Sequence, residues 1–364
     1  MHWYQALYLL KQFHNNIKGV RLSSSIIPDL IEAISAMQAD KVFFLFDENT
    51  FQYCQPLINI QSVFSDSFSL ILKAGEENKN LDQLKRTWDF FEDNGAGRKS
   101  VLVTVGGGML TDLGGFAAST FKRGMSFINV PTTLLAMVDA SVGGKTGINY
   151  HGLKNEIGIT RQPNDVLIHA PFLKTLDQEN FKSGFAEMLK AGLIQDEELW
   201  SQLIQYDLEI RNIPILVPLI WRSVQIKQAI VDIDPEEKSD RRALNFGHTF
   251  AHAFESYSLK MENHLHHGYA VAYGMIFEAM FSEICSGLQP DDLDQIKKVM
   301  HSIYGPIPFA EKDIEQLIQF MRSDKKNDNN RINITMLEGI GRYRINNYVE
   351  ESLIEEVLVE VLSN

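Results

Sequence analysis

Short apolar runs alternate with helical patterns through the first half of the chain. Four runs rich in β-branched or aromatic residues each end in a turn signal or a polar residue: Lys41–Phe46, Ser67–Leu72, Ser100–Val105 and Ser126–Val130. A further strand is predicted at Val166–His169. Near-continuous apolar strands separated by helices are typical of a parallel sheet covered on both faces. The pattern therefore predicts an α/β domain with a mostly parallel sheet over residues 1–173.

Helical periodicity dominates the second half, where glycine is rarer. The segments Phe185–Gln195, Leu216–Ile233 and Tyr269–Ser286 are predicted to be helices. Arg331–Val349 alternates between apolar and polar residues, which predicts a β-hairpin. We therefore expect a mainly α-helical second domain over residues 174–364.

Composition and charge narrow the class of protein. Of the 364 residues, 45% are hydrophobic and 22% are charged, as in ordinary globular proteins. No apolar run reaches the roughly 18 residues of a membrane span, and no secretory signal is visible. The net charge of −13 disfavours nucleic acid and anionic membranes as partners. We interpret Cys54 and Cys285 as buried thiols of a cytoplasmic protein.

A run of three glycines in the first half indicates anion binding. Gly106, Gly107 and Gly108 follow an apolar strand and precede a helical pattern that starts near Leu110. Glycine lets backbone N–H groups approach a phosphate, and a helix N-terminus adds partial positive charge. The spacing differs from the dinucleotide pattern GxGxxG, so a tight strand-to-helix turn is the alternative.

A second glycine-rich segment, Gly143–Thr146 (GGKT), does not fit a P-loop. Asp139 stands where that motif requires its first glycine, and the preceding residues have a helical pattern. Polar side chains that can bind anions or hydroxyls are dense here: Asp139, Lys145, Asn149, Lys154 and Asn155. This density favours a phosphate clamp of another kind, and a solvated loop is the alternative.

Acidic and histidine side chains of the second half are candidates for a metal site. Glu187 and Lys190 share a helical face among apolar neighbours, where unpaired charges are costly. Five histidines follow: His248, His252, His264, His266 and His267. One carboxylate and two histidines would make a three-ligand zinc site with an open fourth position. The alternatives are a surface ion pair and histidines with unrelated roles.

Taken together, these segments resemble the 3-dehydroquinate synthase family of sugar phosphate cyclases. The resemblance runs from about Asp47 to Lys326. It rests on motifs in the family's order: GEENK (Gly75–Lys79), GGGMLTD (Gly106–Asp112), FKRG (Phe121–Gly124), PTTLLAMVDASVGGKTGIN (Pro131–Asn149), LKNEIG (Leu153–Gly158), FAEMLKAGLI (Phe185–Ile194), RRALNFGHTFAHAFE (Arg241–Glu255), HGYAVAYGM (His267–Met275) and SDKK (Ser323–Lys326).

The resemblance implies a fold, cofactors and a reaction. The fold would be a Rossmann-like NAD-binding domain followed by a mainly helical metal- and substrate-binding domain. The cofactors would be NAD and one divalent metal, zinc or cobalt, and the protein would be a homodimer. The reaction would convert 3-deoxy-D-arabino-heptulosonate 7-phosphate to 3-dehydroquinate and phosphate in the shikimate pathway. It would proceed by transient NAD-dependent oxidation, phosphate elimination, re-reduction and intramolecular aldol closure.

The resemblance also implies a role for each site residue. The metal ligands would be Glu187, His248 and His267. Residues of the first domain, together with Thr175 just after it, would bind NAD: Asp47, Asn49, Glu76, Lys79, Gly107, Gly108, Asp112, Thr132, Thr133, Phe172 and Thr175. Groups that would bind the substrate phosphate are Lys145, Asn155, His252 and Lys325, with Arg123 from a neighbouring subunit. The carboxylate would pair with Lys227 and Arg241. Residues that would hold hydroxyls or support the metal are Asp139, Lys154, Lys190 and Asn245.

Two departures and three alternatives accompany this resemblance. Tyr269 stands where the family usually has glutamate, and Ile159–Gln162 lacks a common aromatic residue. The first alternative is a cyclase for sedoheptulose 7-phosphate or glucose 6-phosphate, substrates that lack a carboxylate for Lys227 and Arg241. The second alternative is a metal-dependent alcohol or glycerol dehydrogenase, which would consume NAD stoichiometrically and would have no reason to carry Lys145. A non-catalytic nucleotide-binding protein is the third.

Overall fold

The residues that the structure describes group into two units. The structure is a computed structural model, and it describes residues 16–17, 19–151, 153–258, 264–322 and 331–363. The first unit comprises Met1–Asp177 and Asn212–Val224, and the second comprises Gln178–Arg211 and Gln225–Asn364. The boundary between functional domains at residues 173 and 174 stays a prediction.

A mostly parallel sheet forms the centre of the first unit, as predicted. The strands in chain order are β1 (Asn16–Ile17), β2 (Val20–Leu22), β3 (Val42–Asp47), β4 (Phe68–Leu72), β5 (Val101–Gly106), β6 (Ser126–Pro131), β7 (Lys145–Tyr150), β8 (Leu153–Thr160) and β9 (Asp165–Ile168). The sheet order is β1-β2-β9-β6-β5-β3-β4, and among these neighbours only β1 and β2 are antiparallel. The five strands predicted from the sequence are β3, β4, β5, β6 and β9.

Helices cover this sheet because its central strands are buried along their length. The helices are α1 (Ile26–Ala36), α2 (Glu48–Tyr53), α3 (Gln55–Ile58), α4 (Ile60–Val63), α5 (Leu81–Asp93) and α6 (Gly108–Thr120). Small residues let α6 pack closely. A Cβ at Gly114 would lie 2.5 Å from Thr104 Oγ1 of β5, and one at Gly115 would lie 2.6 Å from Thr146 Cγ2 of β7. The glycines therefore bring α6 against both the sheet and the β7–β8 hairpin.

The second unit is mainly helical, as predicted. Its helices are α7 (Gln178–Gln195), α8 (Glu197–Leu203), part of α9 (Ile213–Ile233), α10 (His248–Ser258), α11 (His267–Ser286), α12 (Pro290–Tyr304), α13 (Ile314–Arg322) and α14 (Glu351–Leu362). The predicted hairpin is β10 (Arg331–Gly339) and β11 (Arg342–Glu350). Close backbone packing needs glycine on α11, since a Cβ at Gly268 would lie 1.9 Å from Ser183 O.

The two cysteines differ in exposure. Both thiols are free, and Cys54 is buried, whereas Cys285 is exposed. The interpretation as a buried thiol is therefore wrong for Cys285, because the last turn of α11 leaves the core that buries the rest of the helix. None of the helices in the described residues combines the length and the hydropathy needed to span a bilayer.

Candidate active site

Three side chains from three helices of the second unit converge. Glu187 of α7, His248 of α10 and His267 of α11 offer ligand atoms that lie within 4.8 Å of one another. The Nε2 atoms of His248 and His267 are 3.6 and 3.4 Å from Glu187 Oε1. The neighbouring His266 lies elsewhere, with its Nε2 3.2 Å from Oε2 of the exposed Glu179. The structure thus brings together the three residues that the sequence analysis named as metal ligands.

The surroundings of Glu187 Oε1 test whether these residues fit a metal ion. This oxygen is buried and has no hydrogen-bond partner among the described residues. A buried carboxylate oxygen without a partner costs free energy, and a cation between it and the two imidazoles would remove that cost. One carboxylate oxygen and two imidazole nitrogens are a donor set that zinc or cobalt accepts, with positions left for further ligands. The three residues therefore fit a divalent transition metal.

Lys190 balances the charge of Glu187. Its Nζ contacts Glu187 Oε2 and donates to Leu244 O at 2.7 Å. Both side chains are buried, so the alternative of a surface ion pair is wrong. Burial raises the pKa of Glu187, but the neighbouring cations Lys190 and His267 lower it by a larger amount. The resulting pKa is about 2. The carboxylate is therefore ionised at neutral pH.

The outer nitrogens of both histidines also have acceptors. His248 Nδ1 is 3.2 Å from Phe246 O, and His267 Nδ1 is 3.4 Å from Oε1 of the buried Glu255. A proton held on Nδ1 leaves the lone pair of Nε2 free to bind a metal. Burial lowers the pKa of His267, but the carboxylates of Glu255 and Glu187 raise it to about 10. Glu255 was not among the site residues predicted from the sequence.

Two further residues predicted to bind substrate lie on one short 3₁₀ helix, Asp240–Asn245. Arg241 is buried, and its Nη1 donates to Pro235 O at 2.8 Å. Asn245 Nδ2 donates to Glu237 Oε1 at 2.8 Å. Both side chains are therefore fixed by neighbouring residues of the second unit.

Three other predicted residues of this half differ in their surroundings. His252 is exposed on α10, with its ring 5.8 Å from that of His248. Lys227 is half-buried on α9. Lys325 lies outside the described residues. Tyr269, the departure from the family's pattern, packs edge-on against Tyr304 at 5.1 Å.

The glycine run connects β5 to α6. Gly107 is the N-cap of α6 and provides no side-chain cap, so first-turn N–H groups are open to an anion. A Cβ at Gly107 would lie 3.0 Å from Thr133 Cγ2. Thr132 N donates to Gly106 O at 3.0 Å, which fixes the two threonines beside the turn. The predicted strand-to-helix turn is confirmed, and its role in binding a nucleotide stays a prediction.

Other predicted NAD residues also follow the carboxyl ends of parallel strands, the edge where open α/β sheets bind ligands. Asp47 ends β3, and its Oδ1 accepts from Thr50 N at 2.7 Å as the N-cap of α2. Asn49 is exposed on the first turn of α2. Phe172 is buried and Thr175 is exposed in the 3₁₀ turn that follows β9.

A turn after β4 is hydrogen-bonded to the β7–β8 hairpin. Lys79 Nζ donates to Asp112 Oδ2 at 2.5 Å and to Asn155 Oδ1. Asn149 donates its backbone N–H to Lys79 O at 2.8 Å and its Nδ2 to Glu76 Oε1 at 2.9 Å. Asn155 N donates to Asn149 Oδ1 at 2.9 Å. Residues predicted to bind NAD and substrate phosphate thus share one network, which the sequence analysis did not predict.

The segment that resembled a P-loop starts this hairpin. Lys145 is the first residue of β7 and not of a helix, which confirms that the segment is not a P-loop. The segment is not an irregular loop, because Lys145–Tyr150 pairs with Leu153–Thr160, but every residue of the second strand is solvent-exposed. Lys145 and Lys154 are exposed, and Asp139 lies in the preceding π-helical turn Ala136–Ala140. Arg123 is exposed and has a left-handed φ of 67°.

Comparison with known proteins identifies the family. The family model described as 3-dehydroquinate synthase N-terminal matches residues 69–183, and the C-terminal model matches residues 184–327. The chain belongs to the 3-dehydroquinate synthase family. A 3-dehydroquinate synthase of Parabacteroides distasonis is 43% identical over 330 residues, which cover 91% of this chain and 94% of that protein. Membership of this lyase family agrees with the resemblance found in the sequence.

Solved structures show the same fold. A 2-epi-5-epi-valiolone synthase from Streptomyces hygroscopicus subsp. jinggangensis, with NAD⁺ and Zn²⁺ bound, has a TM-score of 0.84 and 25% identity, covering 96% of this chain and 98% of that one. A 2-deoxy-scyllo-inosose synthase in complex with carbaglucose-6-phosphate, NAD⁺ and Co²⁺ has a TM-score of 0.83 and 23% identity, covering 94% and 96%. The predicted dehydroquinate synthase-like fold is confirmed.

Proposed function

We propose that the protein converts 3-deoxy-D-arabino-heptulosonate 7-phosphate to 3-dehydroquinate and phosphate. The observation that carries this proposal is the convergence of Glu187, His248 and His267 around a buried carboxylate oxygen that has no hydrogen bond, in a chain of this family. The 43% identity to a 3-dehydroquinate synthase supports the substrate.

The proposed cofactors are NAD and one divalent metal, zinc or cobalt. Two structural relatives hold NAD⁺ with Zn²⁺ or Co²⁺, which supports this choice. When bound, the metal supplies Lewis acidity toward a substrate hydroxyl, and NAD accepts and returns a hydride. Glu187, His248 and His267 would hold the metal. The residues proposed to bind NAD are Asp47, Asn49, Glu76, Lys79, Gly107, Gly108, Asp112, Thr132, Thr133, Phe172 and Thr175.

The chain's own residues would hold a flexible substrate by its two anionic ends, the carboxylate and the phosphate. The residues proposed for the phosphate are Lys145, Asn155, His252 and Lys325. Lys227 and Arg241 are proposed for the carboxylate, and this pair favours the heptulosonate over a heptulose or hexose phosphate. The residues proposed for the hydroxyls and for support of the metal are Asp139, Lys154, Lys190 and Asn245. In this proposal residues 1–173 form the NAD-binding domain and residues 174–364 the metal- and substrate-binding domain.

We also propose that the protein is a cytoplasmic homodimer. Exposed apolar side chains on the β7–β8 hairpin support a second copy as partner: Tyr150, Leu153, Ile157 and Ile159. The second copy would bring Arg123 to the phosphate. Two free thiols are in keeping with a reducing compartment. Sedimentation equilibrium tests the dimer, and a monomer at micromolar concentration would contradict it.

One assay tests the reaction. The protein is incubated with NAD, zinc and the heptulosonate 7-phosphate while inorganic phosphate and NADH absorbance are followed together. We expect phosphate release without accumulation of NADH, and loss of this release in Glu187→Gln. Stoichiometric NADH would favour the dehydrogenase alternative. Faster phosphate release from sedoheptulose 7-phosphate would favour a different cyclase.

A further inference from the structure

The ammonium group of Lys79 is directed at acceptors of the protein itself. The side chain is buried, at 3% exposure. Its Nζ lies 2.5 Å from Asp112 Oδ2, contacts Asn155 Oδ1, and lies 3.8 Å from Glu76 Oε1. An ammonium has three N–H donors, and two of them are used by Asp112 and Asn155. Burial lowers the pKa of Lys79, but the carboxylates of Asp112 and Glu76 together raise it above its ordinary value, so the side chain remains a cation.

Asn155 is held at both its backbone and its side chain. The residue has a left-handed φ of 54°, a conformation that asparagine adopts more readily than most residues other than glycine. Its backbone N–H donates to Asn149 Oδ1, and Asn149 is bonded in turn to Glu76 Oε1 and Lys79 O. Both attachments of Asn155 therefore lead to the turn that contains Glu76 and Lys79.

The contact with Lys79 also decides which way the Asn155 amide faces. An ammonium has no acceptor, so the amide atom that it contacts must be the carbonyl oxygen. With Oδ1 held by Lys79, the Nδ2 group is presented on the other side of the amide. N–H donors are what a phosphate accepts. Without Lys79 the amide could turn over and present an oxygen, which a phosphate repels.

We propose that Lys79 is a positioning residue for the leaving phosphate, which it serves by orienting the Nδ2 group of Asn155. This inference rests on the proposed phosphate-binding role of Asn155. It adds to the proposed role of Lys79 in binding NAD a second effect, on phosphate binding, which acts through Asn155.

Lys79→Met tests the inference, since methionine has similar length and no donor. The probe is inorganic phosphate, titrated calorimetrically into protein loaded with zinc and NAD. We expect the phosphate Kd to rise about 3- to 10-fold at saturating NAD, the value of one hydrogen bond of ordinary strength. Lys85→Met is the control, because Lys85 is an exposed lysine paired with Asp89 and loses the same charge. A phosphate Kd in Lys79→Met within twofold of that of the parent protein would overturn the inference, whatever the change in the NAD Kd.

A double-mutant cycle separates this inference from the proposed function. Asn155→Gly keeps the left-handed backbone and removes the amide, and we expect it to weaken phosphate binding by itself. Adding Lys79→Met should then change the phosphate Kd by less than about twofold, because the positioned group is gone. Additive effects would overturn the inference and leave the role of Asn155 standing. An unchanged phosphate Kd in Asn155→Gly would refute the role of Asn155 and the inference with it.

A second variant covers the case in which Lys79→Met does not fold because Asp112 is left without its cation. Asn149→Ala loosens Asn155 from its backbone side and leaves the pair of Lys79 and Asp112 intact. We expect a higher phosphate Kd with little change in the melting temperature. If Asn149→Ala bound phosphate as tightly as the parent protein, the turn would not position Asn155.

Discussion

Replacing Glu255 by glutamine tests how the histidine ligands are held. Glu255 Oε1 lies 3.4 Å from His267 Nδ1, and the glutamate is buried. Glutamine has the same size, and its amide oxygen can still accept the Nδ1 proton. Glu255→Gln therefore removes the negative charge and preserves the packing, so that its effect on zinc affinity reports the electrostatic part of this contact.

Two effects of opposite sign determine how far Glu255→Gln changes the zinc affinity. Loss of an outer partner of a metal-bound histidine weakens affinity by about 10- to 100-fold, or about 1.4 to 2.7 kcal/mol, and glutamine, which keeps an acceptor, should give a loss near the lower limit. Removal of the carboxylate charge also lowers the pKa of His267, so that the proton competes less with zinc in the metal-free site. A doubly charged ion gains more from the carboxylate than a proton does, because Coulomb energy scales with charge. We therefore expect a net loss of about tenfold in zinc affinity at neutral pH.

Competition with a chromophoric zinc chelator measures this loss directly. Glu179→Gln is a matched control, since exposed Glu179 lies 3.2 Å from His266, a histidine outside the proposed metal site. We expect the control to bind zinc as the parent does. The reasoning would be refuted by a zinc Kd for Glu255→Gln within twofold of the parent, or by an equal loss in the control.

Three further predictions follow from the same geometry. The pKa of His267 is about 10 in the metal-free site, so zinc must displace a proton from this histidine at neutral pH. We therefore expect the affinity of the protein for zinc, measured by chelator competition, to rise about tenfold per pH unit between pH 6 and 8. Gly107→Ala places a Cβ 3.0 Å from Thr133 Cγ2 and narrows the turn, so the NAD Kd should rise about tenfold in calorimetry while the zinc Kd stays unchanged. In Gly274→Ala the Cβ would lie 2.0 Å from Gly247 O and force α10 and α11 apart, which should cost about 1–3 kcal/mol and lower the melting temperature in circular dichroism.

The elements that could be predicted from the sequence are those whose burial requires a recognisable pattern of apolar residues. Strand β5 is buried at every residue, so its sequence is a continuous apolar run. Strand β8 is exposed at every residue, so it lacks the continuous apolar run of a buried strand, and the hairpin was not predicted from the sequence. The same reasoning explains Cys285, whose helix is buried along most of its length but not at its end.

Some residues of the candidate site could also be predicted from the sequence, and others could not. Glu187, His248 and His267 could be named from residue type and family motif, but only the fold shows that their ligand atoms meet. Glu255 could have been found, because it follows His248 by seven residues on a helix and so returns to the same face after two turns. The family motif Arg241–Glu255 ends at this glutamate, but the resemblance implied no role for it.

The contact between Lys79 and Asn155 is of a different kind, because no periodicity relates the two residues. It depends on the register of the β7–β8 hairpin and on the left-handed φ of Asn155, and both are tertiary features. Lys79 belongs to a motif associated with NAD in the family, yet its donors are directed at Asp112 and Asn155. A family motif therefore indicates one ligand for a residue, and the direction of its donors can add a second role. The donors of Lys79 connect a residue proposed to bind NAD, Asp112, to a residue proposed to bind the phosphate, Asn155.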